Sequence, residues 1–331
     1  MKILLTGSEG FIGSHLTERL VKLGHKVKCT VLYNSFNNYG WLESLDKNIL
    51  NEIEICFGDI RDYSFVRNSA KSCDAVIHLA ALIGIPYSYA SPKSYVETNI
   101  SGTLNVLEAV KELNIRKLIH TSTSEVYGTA QKIPILEKHP LNAQSPYAAS
   151  KIAADQLANS FFLSYNTPVV TLRPFNTYGP RQSLRAVIPT IITQILSGTN
   201  KIKLGSLKPT RDFSYISDTV SAFVAALKST NSSGETINIG SGTEISIKKL
   251  AELISKVVNK KIIIASEEKR KRPKKSEVSR LCCSNKKALK LLKWKPQYVG
   301  KKGMEIGIKE TVEWFKKIDN QKKYKSKNFV V

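Results

Sequence analysis

The sequence predicts an α/β fold, a doubly wound parallel sheet with a smaller mixed α/β C-terminal lobe. Three observations predict it. Short apolar runs alternate with stretches of helical periodicity through the first half of the chain. The first apolar run ends in a glycine-rich turn, Gly7-x-x-Gly10-x-x-Gly13. After Arg173 the regular alternation gives way to short strands and helices in mixed order.

Lys2-Ile-Leu-Leu-Thr6 has the length of a strand, and Ile12, Leu16, Leu20 and Leu23 then recur at helical spacing. Gly24 stands where a helix-ending C′ glycine belongs. Val27–Leu32, Ile53–Phe57, Ala75–Ala80, Lys117–Ser122 and Val169–Arg173 read as the next five strands, with long helices over Val96–Leu113 and Tyr147–Leu163. Beyond Arg173, helices are expected over Ile188–Leu196, Thr219–Leu227, Ile247–Val258 and Glu310–Lys317. Short strands are expected at Ile202–Leu204 and Thr236–Ile239.

In Thr6-Gly-Ser-Glu-Gly-Phe-Ile-Gly-Ser14, glycines allow a tight turn and close approach of a pyrophosphate, and the following helix offers free N–H groups. The turn therefore predicts a dinucleotide site of Rossmann type using Gly7, Gly10, Phe11, Ile12 and Gly13. Leu32-Tyr33-Asn34-Ser35 holds no acid to mark NAD and no arginine to mark NADP, so Tyr33 and Asn34 leave that choice open. Asp59-Ile60 is a candidate for the adenine edge; the alternative is a turn carboxylate in Gly-Asp-Ile-Arg-Asp. The domain assignment follows: residues 1–175 for the dinucleotide, with a segment near 210–240 returning to it, 176–315 mainly for substrate, and 320–331 as a basic flexible tail.

The chain has 331 residues, 42% hydrophobic and 23% charged, enough for one large domain and a smaller one. No apolar run approaches the roughly 20 residues that span a bilayer, and the expected location is the cytoplasm. Cys29, Cys56, Cys73, Cys282 and Cys283 form no Cys-x-x-Cys pair and lack a histidine at ligand spacing, so reduced thiols and no metal are expected. Fifty Lys+Arg against 27 Asp+Glu give a net charge of +23. Without a nucleic-acid motif or interleaved aromatics, that charge reads as solvated lysine faces rather than a nucleic-acid surface. It would also attract an anionic nucleotide substrate.

Two segments carry the chemistry. Tyr147 and Lys151, in Pro-Tyr-Ala-Ala-Ser-Lys, lie one helical turn apart on one face, and a nearby ammonium favours phenolate. Thr121-Ser-Thr-Ser-Glu-Val-Tyr-Gly128 ends a strand, where parallel sheets bind ligands, and supplies Thr123, Ser124 and Glu125.

These motifs, with His78-Leu-Ala-Ala81, Asn99 in Thr-Asn-Ile-Ser-Gly-Thr, Arg173-Pro-Phe-Asn-Thr-Tyr-Gly-Pro-Arg181 and Thr210-Arg-Asp-Phe-Ser-Tyr-Ile-Ser-Asp218, resemble the extended short-chain dehydrogenase/reductases acting on nucleotide sugars. Val31-Leu-Tyr-Asn-Ser-Phe-Asn, Ala81-Leu-Ile-Gly-Ile-Pro-Tyr-Ser-Tyr and Ala186-Val-Ile-Pro-Thr-Ile-Ile-Thr-Gln are similar to the 4,6-dehydratases of legionaminic-acid synthesis, which act on nucleotide-linked N-acetylglucosamine for cell-surface glycans. The resemblance implies a tightly bound, recycled NAD (or NADP) touched also by Leu79, Ala80, Ala81 and Asn99. It implies substrate contacts from Pro86, Asn176, Arg181, Val187, Arg211, Arg272 and Glu277, and a homodimer through the two long helices.

The implied cycle oxidises C4 through Tyr147, held acidic by Lys151 and assisted by Thr123. Glu125 then removes the C5 proton, water leaves from C6 and hydride returns there. Ser124 stands where the glucose-nucleotide dehydratases carry an aspartic acid, so the acid for the leaving hydroxyl is open. Nucleotide-glucuronate decarboxylation and 4-epimerisation are the rival reactions, and a non-catalytic dinucleotide-binding or nucleic-acid-associated protein is the rival class.

Overall fold

The computed structural model describes residues 1–324. β1 (Lys2–Thr6) runs through the glycine turn into α1 (Phe11–Lys22), and Gly24 ends that helix at φ +77°, a conformation glycine adopts without a Cβ penalty. β2 (Lys26–Leu32), α2 (Lys47–Asn51) and β3 (Ile53–Gly58) follow. α3 (Tyr63–Ala70) is capped by Asp62, whose carboxylate accepts the Ser64 and Phe65 N–H groups. Then come β4 (Ala75–His78), α4 (Ile85–Ala90), α5 (Pro92–Tyr95), α6 (Gly102–Glu112) and β5 (Leu118–Thr121).

α7 (Pro146–Tyr165) begins with the Ser145 hydroxyl accepting the Ala148 N–H at 3.1 Å and with proline where no donor is needed. β6 (Val169–Pro174) completes the first half. The second half holds β7 (Asn176–Tyr178), α8 (Val187–Leu196), β8 (Lys201–Leu204), β9 (Thr210–Tyr215), α9 (Ile216–Lys228) and β10 (Thr236–Ile239). β11 (Glu244–Ser246), α10 (Ile247–Val258), β12 (Ile263–Ser266), α11 (Lys286–Leu292), α12 (Gly300–Lys316) and α13 (Ile318–Lys322) end the described chain.

The large sheet has seven parallel strands in the order β10-β6-β5-β4-β1-β2-β3. Flanking helices bury both faces, which is why Ile3, Leu4, Leu5, Val76, Ile77, Leu118 and Ile119 form near-continuous apolar runs. The direction of strand addition reverses between β1 and β4, with Thr6 opposite His78, and this switch point sets the ligand crevice. β10 joins this sheet only after the chain has formed β7, β8 and β9 outside it. The smaller lobe carries β11-β9-β7 and β12-β8.

Four expectations change. The helix expected over Val96–Leu113 opens as a π-turn at Val96–Ser101 before α6, because the Asn99 carbonyl accepts the Thr103 hydroxyl at 2.7 Å while its side chain bonds outside the helix. The last long helix starts at Gly300 rather than Glu310. Gly303 and Gly307 hid its first half, and both are packing glycines: a Cβ on Gly307 would lie 2.4 Å from the Tyr178 hydroxyl. The polar strand β9 was not predicted; it is buried because Asp212 accepts N–H groups of Ser241, Gly242 and Cys283. Finally, the expected tail is docked as far as Tyr324, whose ring packs on Trp41, Trp314 and Phe315 and whose hydroxyl donates to Gln182 O at 2.9 Å. The rest of that segment, 325–331, lies outside the described residues.

Candidate active site

The glycine turn fits a dinucleotide. Gly7 has φ +68°, and a Cβ there would lie 2.8 Å from Ala80 N, so the turn presses directly on the strand end at Leu79-Ala80. Those two N–H groups donate to Thr6 Oγ1 at 3.1 Å each, and Ala81 continues the crevice wall. A Cβ on Gly13 would lie 2.2 Å from Gly7 O. Gly13→Ala is therefore expected to destabilise the chain by about 1–3 kcal/mol and to weaken dinucleotide binding, read by thermal unfolding and titration calorimetry. Phe11 and Ile12 start α1 with their side chains against the core.

Around the adenosine end the placements are mixed. Tyr33 is exposed. Asn34 spends its amide on its own loop, bonding Leu32 O at 3.2 Å and Asn38 on both backbone groups. Asp59 is gripped by the Arg61 fork, with contacts of 2.6 and 3.0 Å, which is the turn-carboxylate arrangement. Ile60 is buried core.

At the centre, Tyr147 and Lys151 are both buried on α7, against Thr123 and Glu125 from the turn after β5. Burial pushes the Tyr147 phenol up, and the Thr123 hydroxyl bonded to it opposes the rise. Burial lowers the Lys151 ammonium to about 8, the Asp155 carboxylate opposing; its Nζ donates to Thr121 O at 2.6 Å. Desolvation dominates the shifts of both groups, and the ammonium's hydrogen bond goes to a backbone carbonyl rather than to the phenol. Thr121 Oγ1 is buried without a partner among the described residues. Ser124 is buried beside Glu125.

Across the crevice, Arg272 Nη1 lies 3.6 Å from Glu125 Oε2, buried and without a hydrogen-bond partner. Arg211 is buried on β9, paired with Glu277 at 3.3 Å and donating to Thr210 O at 3.0 Å. Asn176 Oδ1, on β7, is another buried acceptor without a partner. The unmet Arg272 donor, with the Arg211 guanidinium near it, suits an anionic ligand. Pro86 sits exposed at the start of α4 and Val187 half-buried at the start of α8. Arg181 is not brought to this group: its guanidinium pairs with Glu18 at 3.2 Å and reaches Ser14, both on α1. Asn99 acts on the wall instead of presenting a free amide, tying Leu82 to Ser150 of α7 at 2.9 Å. Among the described residues no cluster of acids, histidines and thiols suits a metal, and no helix is long and apolar enough to cross a membrane.

The family model described as GDP-mannose 4,6 dehydratase matches residues 4–306. The chain belongs to that family. The GDP-mannose 4,6 dehydratase family spans several reactions. The chain is 33% identical to a putative UDP-glucose 4-epimerase of Methanocaldococcus jannaschii, covering 95% of this chain and 98% of the relative. It is 34% identical to a UDP-N-acetyl-α-D-glucosaminuronate decarboxylase of Bacillus cytotoxicus, covering 96% and 99%. The dTDP-glucose 4,6-dehydratase structure from Streptomyces venezuelae, solved with NAD bound, superposes with a TM-score of 0.86 at 26% identity, covering 98% and 99%. This is an enzyme family of nucleotide-sugar dehydratases, epimerases and decarboxylases whose cofactor is NAD.

Family motifs did not direct attention to a charged network behind Lys151. Asp155, one turn further along α7, accepts from Ser122 Oγ at 2.8 Å and Arg173 Nε at 3.0 Å, with His120 Nε2 at 3.2 Å. Arg173 also donates to the Tyr127 hydroxyl, which donates to Asn238. A carboxylate on the core side of an otherwise apolar helix was the signal available in the sequence. Gln144, also missed, joins the two walls by donating to the carbonyls of Lys275 and Glu277 and accepting Thr129 N–H.

Proposed function

We propose that this chain is a nucleotide-sugar 4,6-dehydratase, acting on a nucleotide-linked N-acetylglucosamine and giving the 4-keto-6-deoxy sugar. Glu125 is the observation that carries the reading. It is a buried carboxylate in the same crevice as Tyr147, and 4-epimerisation leaves the C5 hydrogen in place and needs no such base.

NAD+, when bound, supplies a hydride acceptor and later donor for the sugar, and a positive charge that favours phenolate. Tyr147 takes the C4 hydroxyl proton, with Thr123 aligning the exchange. Lys151, anchored on Thr121 O, holds the ribose side and the electrostatic balance. The C5 hydrogen, acidified by the C4 ketone, goes to Glu125, which the Arg272 guanidinium steadies at 3.6 Å. Ser124 is no strong acid, so Glu125 returns its proton to the departing C6 hydroxyl, directly or through water. Arg211, Arg272, Asn176 and Glu277 hold the nucleotide diphosphate and ribose, and α6 and α7 form the homodimer interface. The protein works in the cytoplasm, with no nucleic-acid partner.

One observation favours decarboxylation as the second reading: the unpartnered Arg272 Nη1 would suit a C6 carboxylate. Incubation with GDP-, UDP- and dTDP-linked glucose or N-acetylglucosamine, and with UDP-glucuronate, separates the reactions by mass. Loss of water means dehydration, loss of carbon dioxide means decarboxylation, and an isomer of unchanged mass means epimerisation. Glu125→Gln is expected to stop solvent deuterium from entering C5 and to cut turnover by about 10²–10⁴-fold. Deuterium entering at the normal rate in that variant would remove Glu125 from the role of base.

A further inference from the structure

We infer that Glu9, from within the glycine turn, supplies the carboxylate that reads the adenosine ribose, replacing the acid missing after β2 and selecting NAD over NADP. The inference rests on the reading that this turn holds a nicotinamide dinucleotide. In such sheets the ribose hydroxyls meet the end of the second strand. Here that strand end offers Leu32, an exposed Tyr33, and an Asn34 whose side chain is committed to its own loop.

Glu9 reaches the same place from the neighbouring turn. Its Oε1 accepts the Leu32 N–H at 3.1 Å, which fixes the carboxyl at the end of β2. Its Oε2 is buried with no hydrogen-bond partner, and Glu9 forms no ion pair among the described residues. The backbone beneath is clamped as well: Trp41 N–H donates to Glu9 O at 2.9 Å, and a Cβ on Gly40 would lie 2.7 Å from that oxygen. A rigid backbone and a pinned carboxyl leave an unmet acceptor beside the ribose position. The last torsion of a glutamate is broad and nearly two-fold, so rotation about it exchanges the two oxygens, one keeping the Leu32 N–H while the other meets a ribose hydroxyl.

Burial raises the Glu9 carboxyl and the Leu32 N–H opposes the rise; in its ionised form the group only accepts hydrogen bonds. A 2′-hydroxyl donates to it; a 2′-phosphate brings like charge and no donor. No arginine or lysine bonded to Glu9 is present to reverse that preference. Glu9 is thus a specificity-determining residue that arises before the strand where the pattern of the fold places one.

Titration calorimetry on the purified full chain with NAD+, NADP+ and the 2′-deoxyadenosine analogue of NAD+ tests this. The unaltered protein should bind NAD+ about 10-fold or more tightly than either of the others. Glu9→Gln keeps the acceptor for Leu32 and removes the charge, and should shrink the NAD+/NADP+ ratio by about 10-fold with the same thermal unfolding. Equal binding of NAD+ and NADP+ by the unaltered chain, or a ratio that Glu9→Gln leaves unchanged, overturns the assignment while the dinucleotide reading stands. Binding of neither dinucleotide overturns both. Should Glu9→Gln fail to fold, the 2′-deoxy comparison on the unaltered chain decides.

Discussion

Tyr147→Phe is expected to lower kcat by about 10²–10⁴-fold while the protein stays folded and keeps its dinucleotide. The ring packs edge-on against Tyr95, with centroids 6.2 Å apart, and that contact survives the change. Only the proton-exchanging hydroxyl is lost. Turnover by mass spectrometry, with dinucleotide recovered from the denatured protein, separates lost chemistry from lost binding; an unchanged kcat would remove Tyr147 from the mechanism. The pH profile follows from the same pair. Burial raises Tyr147, so its proton-accepting form grows as pH rises. Lys151 is needed as the ammonium, and burial lowers it to about 8. kcat/KM should therefore climb through neutrality and fall as pH passes about 8. In Lys151→Met the falling limb should be absent.

Asp155→Ala should cost about 3–5 kcal/mol, because it strands the Arg173 guanidinium in the interior. Burial alone would raise the Asp155 carboxyl, but the hydrogen bond from His120 and the charge of Arg173 outweigh it and hold the group low. A depressed carboxyl contributes its stability above the unfolded value, near 3.9, and loses it as pH falls through the folded one. Urea unfolding at neutral pH should show the full difference between the two proteins, shrinking in acid. A difference that does not change with pH would mean packing rather than charge. Asp155 also opposes the lowering of Lys151, so in any folded fraction of the variant the falling limb of kcat/KM should move below pH 8.

Much of the fold was legible because parallel strands buried on both faces leave apolar runs that need no partner to be recognised. The crevice was legible for a related reason: Gly7, Gly10 and Gly13 answer to backbone geometry, and Tyr147 with Lys151 to the period of a single helix. What stayed hidden depends on residues far apart in the chain. Gly303 and Gly307 resemble helix breakers until Tyr298, Tyr178 and Tyr215 are seen against them. Arg181 sits in a motif beside Asn176, yet its φ of +69° turns it toward Glu18. Asp212 looks like a surface acid until the N–H groups that surround it are known.

The late entry of β10 has a consequence for biosynthesis. During translation β6 must wait as an open edge until residues 236–239 leave the ribosome, and three strands that belong elsewhere emerge in between. The chain passes between the seven-stranded sheet and the smaller sheets at β6–β7, β9–α9 and β10–β11, and returns at α11 to pack on β10 and α9. Neither part is therefore one uninterrupted stretch of sequence, and no single cut separates the two.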